Sequence, residues 1–199
     1  MEGLILKGEH ADYFKELLRH FDHYQKVFGK MFAEPNQARK TKDMVYGFSV
    51  QYKGLGGGGK KTLATREFEI LGYQTFEELA KVLVLSMGWT YDHMHGYELM
   101  GKKTLSDPLF TGSSLAIFAE GWEDDPHPTY KTSEVHISDI NYYVQLKFEF
   151  TFDYGDGHTF LIVSTGYSKI DPRDQPSEFP RLIASSGTAP EQYPPLTKS

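Results

Sequence analysis

Cysteine is absent from this sequence of 199 residues. That removes disulfides, thiolate zinc sites and cysteine nucleophiles together, and it suits a reducing cytoplasm. No stretch approaches the ~20 apolar residues of a membrane span. The start, Met1-Glu2-Gly3-Leu4-Ile5-Leu6-Lys7, lacks the long apolar core of a signal peptide. Positive charge is not in excess either: the net charge is −6, which argues against a broad phosphate-binding surface. Apolar residues make up a modest 39%, yet aromatics reach 15%. The expectation is a cytoplasmic protein, off the membrane, whose core leans on Phe and Tyr. A chain of this size buries roughly 70% of its extended surface and needs no covalent staple.

What is present divides at about residue 43. Phe14, Leu17, Leu18, Phe21, Tyr24, Phe28 and Phe32 recur at helical spacing, so residues 9–32 read as an amphipathic helix. Its aromatic face needs a cover, either the body of the domain or a second copy in a homodimer. No histidine pair in this helix has the four-residue spacing of a metal clamp. Residues 34–42 read as a polar linker, which makes 1–43 a helix-and-linker unit. Residues 44–199 then form an α+β domain, with an extended tail from about 171.

Within that domain, residues 44–53 alternate as a strand and Leu63 to Leu71 as a second. Between them, Gly54, Gly56 and Gly59 satisfy G-x-G-x-x-G, and Gly54, Gly59 and Lys60 satisfy most of a P-loop. Both motifs place phosphate on the N-terminus of a following helix. The residues that follow, Thr62 to Ile70, are strand-like, so a hairpin tip is the better reading. Thr75-Phe76-Glu77-Glu78 has the pattern of a capping box and opens a helix with Phe76, Leu79, Ala80, Leu83, Val84 and Met87 on one face. Residues 91–101 read as a strand. The region 104–133 reads as loop with a short apolar piece at Leu115 to Phe118, and Ser138-Asp139-Ile140 as a short turn or helix. Tyr142 to Phe152 and Thr159 to Ser168 alternate around an Asp-Gly turn, a strong hairpin signal. Six of the ten prolines lie beyond Asp171, which argues for a tail on the surface.

Chemistry concentrates in Gly88 to Tyr97. On a strand, His93 and His95 would point the same way. A second polar cluster, Asp153 to His158, must fold back to meet them if there is a site. In a metal reading, the two imidazoles bind a divalent ion such as zinc, with Asp153 and Asp156, or His158 or Glu191, completing the shell. An open position on that ion would activate water for a hydrolase. In the other reading, Asp153 caps its own turn through backbone N–H groups and an imidazole bonds to a carboxylate, with no cofactor needed.

Gly88-Trp89 with Asp92-His93-Met94-His95-Gly96-Tyr97 resembles the G-W-x-x-x-H-L-H-x-F signature of the Ri-plasmid ORF-3-like family. That family includes TnpR-like passengers of insertion elements. Phe152-Asp153-Tyr154-Gly155-Asp156-Gly157 is similar to its Y-D-F-G-D-x-W-x-H hairpin. Ala189-Pro190-Glu191 resembles its C-P-P-E-D segment. The departures are His158 where the family has tryptophan, Phe160 where it has histidine, Ala189 for the cysteine and Gln192 for the acid. The resemblance spans about residues 44–195 and implies an α+β fold on a mixed, largely antiparallel sheet. It brings no reaction with it, and no serine or tyrosine recombinase constellation is present.

Three function classes follow. The first, and the favoured one, is a non-enzymatic accessory module. It binds protein or a small ligand through an aromatic-lined groove at Trp89, Tyr91, Tyr97 and Tyr154. The second is the metal-dependent hydrolase. The third is nucleic-acid contact through Lys60-Lys61 and Lys102-Lys103, against which the net acidity weighs.

Overall fold

A computed structural model of the chain describes residues 33, 35–56, 63–100, 114–118, 130–142 and 147–193. The helix expected over 9–32 lies outside the described residues, as does 143–146 of the strand expected from Tyr142. The fold is α+β, with helices α1 (Pro35–Thr41) and α2 (Phe76–Ser86). The strands are β1 (Met44–Leu55), β2 (Ala64–Leu71), β3 (His95–Met100), β4 (Ser114–Phe118), β5 (Tyr130–Lys131), β6 (Lys147–Phe152), β7 (His158–Lys169) and β8 (Arg181–Gly187). They form one sheet in the order β5-β4-β3-β6-β7-β1-β2-β8. Each adjacent pair is antiparallel except β4 with β5, so the sheet is mixed and largely antiparallel.

The core lies between one face of this sheet and α2. Tyr46, Phe48, Val50 and Tyr52 of β1, Phe68 and Ile70 of β2, Phe148, Phe150 and Phe152 of β6 and Phe160 and Ile162 of β7 all face inward. Period-two spacing selects that face, because successive side chains of a strand leave opposite sides of the sheet. Helix α2 lays Phe76, Leu79, Ala80, Leu83 and Val84 against them. Burying each large side chain contributes about 1.5–3 kcal/mol. The rings meet edge-on, as with Phe48 and Phe148 at 5.8 Å and Phe76 and Tyr97 at 5.0 Å. That geometry sets the positive edge of one ring against the negative face of the next.

Both ends of α2 are tied down. The Glu78 backbone N–H donates to Thr75 Oγ1 at 3.3 Å, and the Thr75 backbone N–H donates to Glu78 Oε2 at 2.8 Å, a complete capping box. At the other end, Arg66 reaches from β2, only 7% exposed, and its Nε donates to Ser86 O at 3.2 Å. Its Nη1 donates to Thr65 O at 2.8 Å and to Ser186 O at 3.1 Å, so one guanidinium links α2, β2 and β8. A cation suits the negative end of the helix dipole.

Several expectations need correction. Residues 35–41 are helical rather than linker, with Pro35 at the first position, where a missing N–H costs nothing. Leu115 to Phe118 belong to β4. The strand expected over 91–101 begins at His95. The stretch expected as a surface tail contains β8, which pairs with β2 from Glu69↔Arg181 to Ala64↔Gly187. The hairpin reading of the glycine run agrees with the antiparallel pairing of β1 and β2, while residues 57–62 lie outside the described residues.

Candidate functional site

Sheet register assembles the site. β3 pairs with β6 so that His95 faces Phe152 and Tyr97 faces Phe150. That pairing carries the residues before β3 alongside the β6–β7 turn, where the Asp153 backbone N–H donates to Met94 O at 2.9 Å. The histidine stretch and the aspartate turn, far apart in sequence, are therefore neighbours in space.

The two histidines do not share a face. His93 precedes the strand, in irregular backbone, so strand alternation does not reach it. His95 turns into the protein with its side chain 3% exposed, and His93 lies at the surface with 44% exposed. Each imidazole has its own carboxylate: His95 Nε2 is 3.5 Å from Glu77 Oε2, and His93 Nε2 is 3.6 Å from Asp153 Oδ2 and 3.9 Å from Asp92 Oδ1.

Glu77 is the hub of the inner set. It accepts from Tyr91 Oη at 2.7 Å through Oε1 and from Thr132 Oγ1 at 2.7 Å through Oε2. The Tyr91 oxygen also lies 3.3 and 3.2 Å from the ring nitrogens of His95. With its proton committed to Glu77, that oxygen is the acceptor for an imidazole N–H. Burial raises the Glu77 carboxyl, but the bonds from Thr132 and Tyr91, with His95 and Lys81, outweigh it and hold the group below its usual range. Burial lowers His95, with Glu77 pulling the other way. Burial and the Glu77 carboxylate push the Tyr91 hydroxyl up, so it stays a donor. A carboxylate, a phenol and an imidazole are the parts of a proton relay. Here the imidazole is sealed in, and the set ties α2, the 91–94 segment, β3 and the Thr132 turn together.

Asp153 has left-handed backbone, φ 55°, and its Oδ1 accepts from the N–H groups of Gly155 at 3.0 Å and Asp156 at 3.4 Å. This is the turn-capping role. Asp156 is exposed at the turn tip. Among the described residues, no three or more His, Asp or Glu are gathered closely enough to hold a metal ion.

The expected aromatic groove is filled differently. Tyr97 is 0% exposed, its Oη donating to Phe76 O at 3.0 Å, so it belongs to the core and offers no surface to a ligand. Trp89 is 5% exposed and packs on Tyr52, Phe152, Phe160 and His158, the last at 4.3 Å. Tyr91 is half-buried, and Tyr154 is partly exposed near Glu98, with its hydroxyl raised by burial and by that carboxylate.

Three residues outside the first choice of site residues complete this region. His158, fully buried, receives Tyr52 Oη at Nδ1 (3.0 Å) and donates from Nε2 to Gln192 O at 2.9 Å. A carbonyl only accepts, so Nε2 carries the proton and Nδ1 is the acceptor. Burial lowers this imidazole and keeps it neutral. Gln192 crosses the 90–92 loop, and Glu77 anchors the inner set. His158 stands out in sequence as the residue in place of the family tryptophan. Glu77 gives no such signal, because it reads as one acid in a helix cap.

A mixed, largely antiparallel sheet backed by one packed helix, carrying a His-x-His segment beside an Asp-Gly turn, defines an α+β domain. The chain belongs to the family of plasmid pRiA4b ORF-3-like proteins, which matches residues 58–192. No curated protein matches it. Among solved structures, a protein of unknown function from Methanosarcina mazei Go1, MM3350, is similar in fold. The TM-score is 0.55 at 22% identity, over 73% of this chain and 71% of that one.

Proposed function

We propose that this protein is a non-enzymatic binding module that contacts a partner polypeptide and uses neither metal nor cofactor. One observation carries the reading: the two imidazoles look toward different carboxylates 3.5 and 3.6 Å away, each within its own structural contact. His95 is buried and engaged by Tyr91 and Glu77, while Asp153 is occupied with its own turn. The resemblance to insertion-element passengers fits an accessory protein of mobile elements better than a recombining one.

Metal analysis of protein purified without a His tag tests this. Substoichiometric metal is expected, with His95→Ala unfolding at lower temperature and His93→Ala melting close to the parent. About one equivalent of zinc, lost in both variants, would replace this reading with the metal-dependent hydrolase.

A further inference from the structure

The segment Pro190–Tyr193 lies across the Trp89–Asp92 loop as a bound peptide lies on a receptor. The indole Nε1 of Trp89 donates to Pro190 O at 2.9 Å, and His158 Nε2 donates to Gln192 O at 2.9 Å. Two carbonyls separated by one residue thus face the same wall, the arrangement of an extended chain. The Gln192 amide then reads the backbone of Thr90: the Thr90 N–H donates to Oε1 at 2.8 Å, and Nε2 donates to Thr90 O at 3.1 Å. The same Nε2 reaches Asp92 Oδ1 at 3.3 Å. A glutamate in that place would lack both donors and would face the Asp92 carboxylate. Tyr193 sets the edge of its ring against His93 at 5.8 Å.

The geometry points to a peptide-recognition groove, held closed by Pro190–Tyr193, that takes an extended partner segment of the pattern Pro-x-Gln-aromatic. This rests on the binding-module reading and names the ligand class. The contacts are of a replaceable kind. They are hydrogen bonds to carbonyls and one amide, which water or another chain can make instead. Glu191 is exposed and Tyr193 is 46% exposed, so the apolar anchorage comes down to Ala189 against the core and the half-buried Pro190. Trp89 and His158 sit in the core and keep their places through Tyr52, Phe152 and Phe160. The groove therefore outlasts departure of the segment. Tethering gives the chain's own copy an effective concentration of about millimolar, so a partner enters only where that copy is weakened or out-contacted.

The test uses the full chain carrying Gln192→Ala and Tyr193→Ala, beside the parent. Proton–nitrogen NMR follows the Thr90 amide and the Trp89 indole N–H while the peptide Ala-Pro-Glu-Gln-Tyr is added. Both signals should move in the double variant before peptide is added. The peptide should bind the variant about tenfold or more tightly than the parent. Its Gln→Glu analogue should not bind. The groove is overturned if the variant's signals match the parent's, if millimolar peptide moves nothing in a variant that melts like the parent, or if the glutamate analogue binds equally. A failed titration removes the groove alone; the binding-module reading stands or falls on the metal analysis.

Discussion

Replacing Glu77 is the sharpest probe of the inner network, because two variants separate its geometry from its charge. Glu77→Ala takes the acceptor from Tyr91 Oη and from Thr132 Oγ1, both at 2.7 Å, and Thr132 is 0% exposed. Stranding a buried donor costs about 1–3 kcal/mol. The Glu77 side chain is 38% exposed, so water can relieve part of the loss at Tyr91 and the charge counts at a discount. The expected total is about 2–3 kcal/mol, or a melting temperature lower by about 4–12 °C in a chain of this size. Glu77→Gln keeps one acceptor and offers an N–H that Thr132 Oγ1 can accept. It should cost about 1 kcal/mol, the charge-assisted part alone. Urea unfolding at pH 7 measures both. Destabilisation by Glu77→Ala of under ~0.5 kcal/mol would refute the argument, since the network would then hold nothing.

Acid should weaken the fold in two stages. His95 and His158 have folded-state pKa values below the ordinary 6.5, so the unfolded chain takes up protons first. Their contribution is complete above that value and declines as pH falls through it. Glu77, held below its ordinary 4.5, adds a second decline below that pH. Melting curves from pH 8 to 3 should show both, and Glu77→Gln should make the lower one shallower, Asp92 and Asp171 keeping their share. Gly72→Ala should destabilise by about 1–3 kcal/mol in thermal unfolding, because its Cβ would collide with Thr41 O and stand 2.9 Å from Lys42 O, both backbone atoms. Glu149 faces Glu98 directly across β3 and β6, and burial together with that neighbour raises its carboxyl. Glu149→Gln should therefore stabilise by a few tenths to about 1 kcal/mol in urea unfolding at pH 7.

The elements that local chemistry specifies were legible in the sequence. Thr75 to Glu78 announced the cap, the five inward residues of α2 followed the helical period, and Asp-Gly marked the β6–β7 turn. β1 and β2 came within two residues of their ends, because alternation there is strict. What failed depended on partners distant in the chain. β8 lies among prolines and is mostly exposed, and only its pairing with β2 makes it a strand. β3 begins at His95 because β6 pairs no further than Phe152, so the facing assumed for His93 never arises. That the histidine segment would meet the aspartate turn was legible. That Trp89 and Tyr97 would be covered was not, since an aromatic residue reads alike in a groove and in a core. Gln192 stood out only as the residue in place of the family acid, because a lone amide acquires its role only beside Thr90.

The placement of β1 between β7 and β2 has a consequence for biosynthesis. β2 follows β1 by a short hairpin, but Tyr52 waits for Phe160 and Met44 for Lys169. More than half the described chain must leave the ribosome before the middle of the sheet can close. Until then the Tyr46-Phe48-Val50-Tyr52 stripe has one open flank. Such long-range closure is slow, and the waiting stripe is the surface a chaperone would cover.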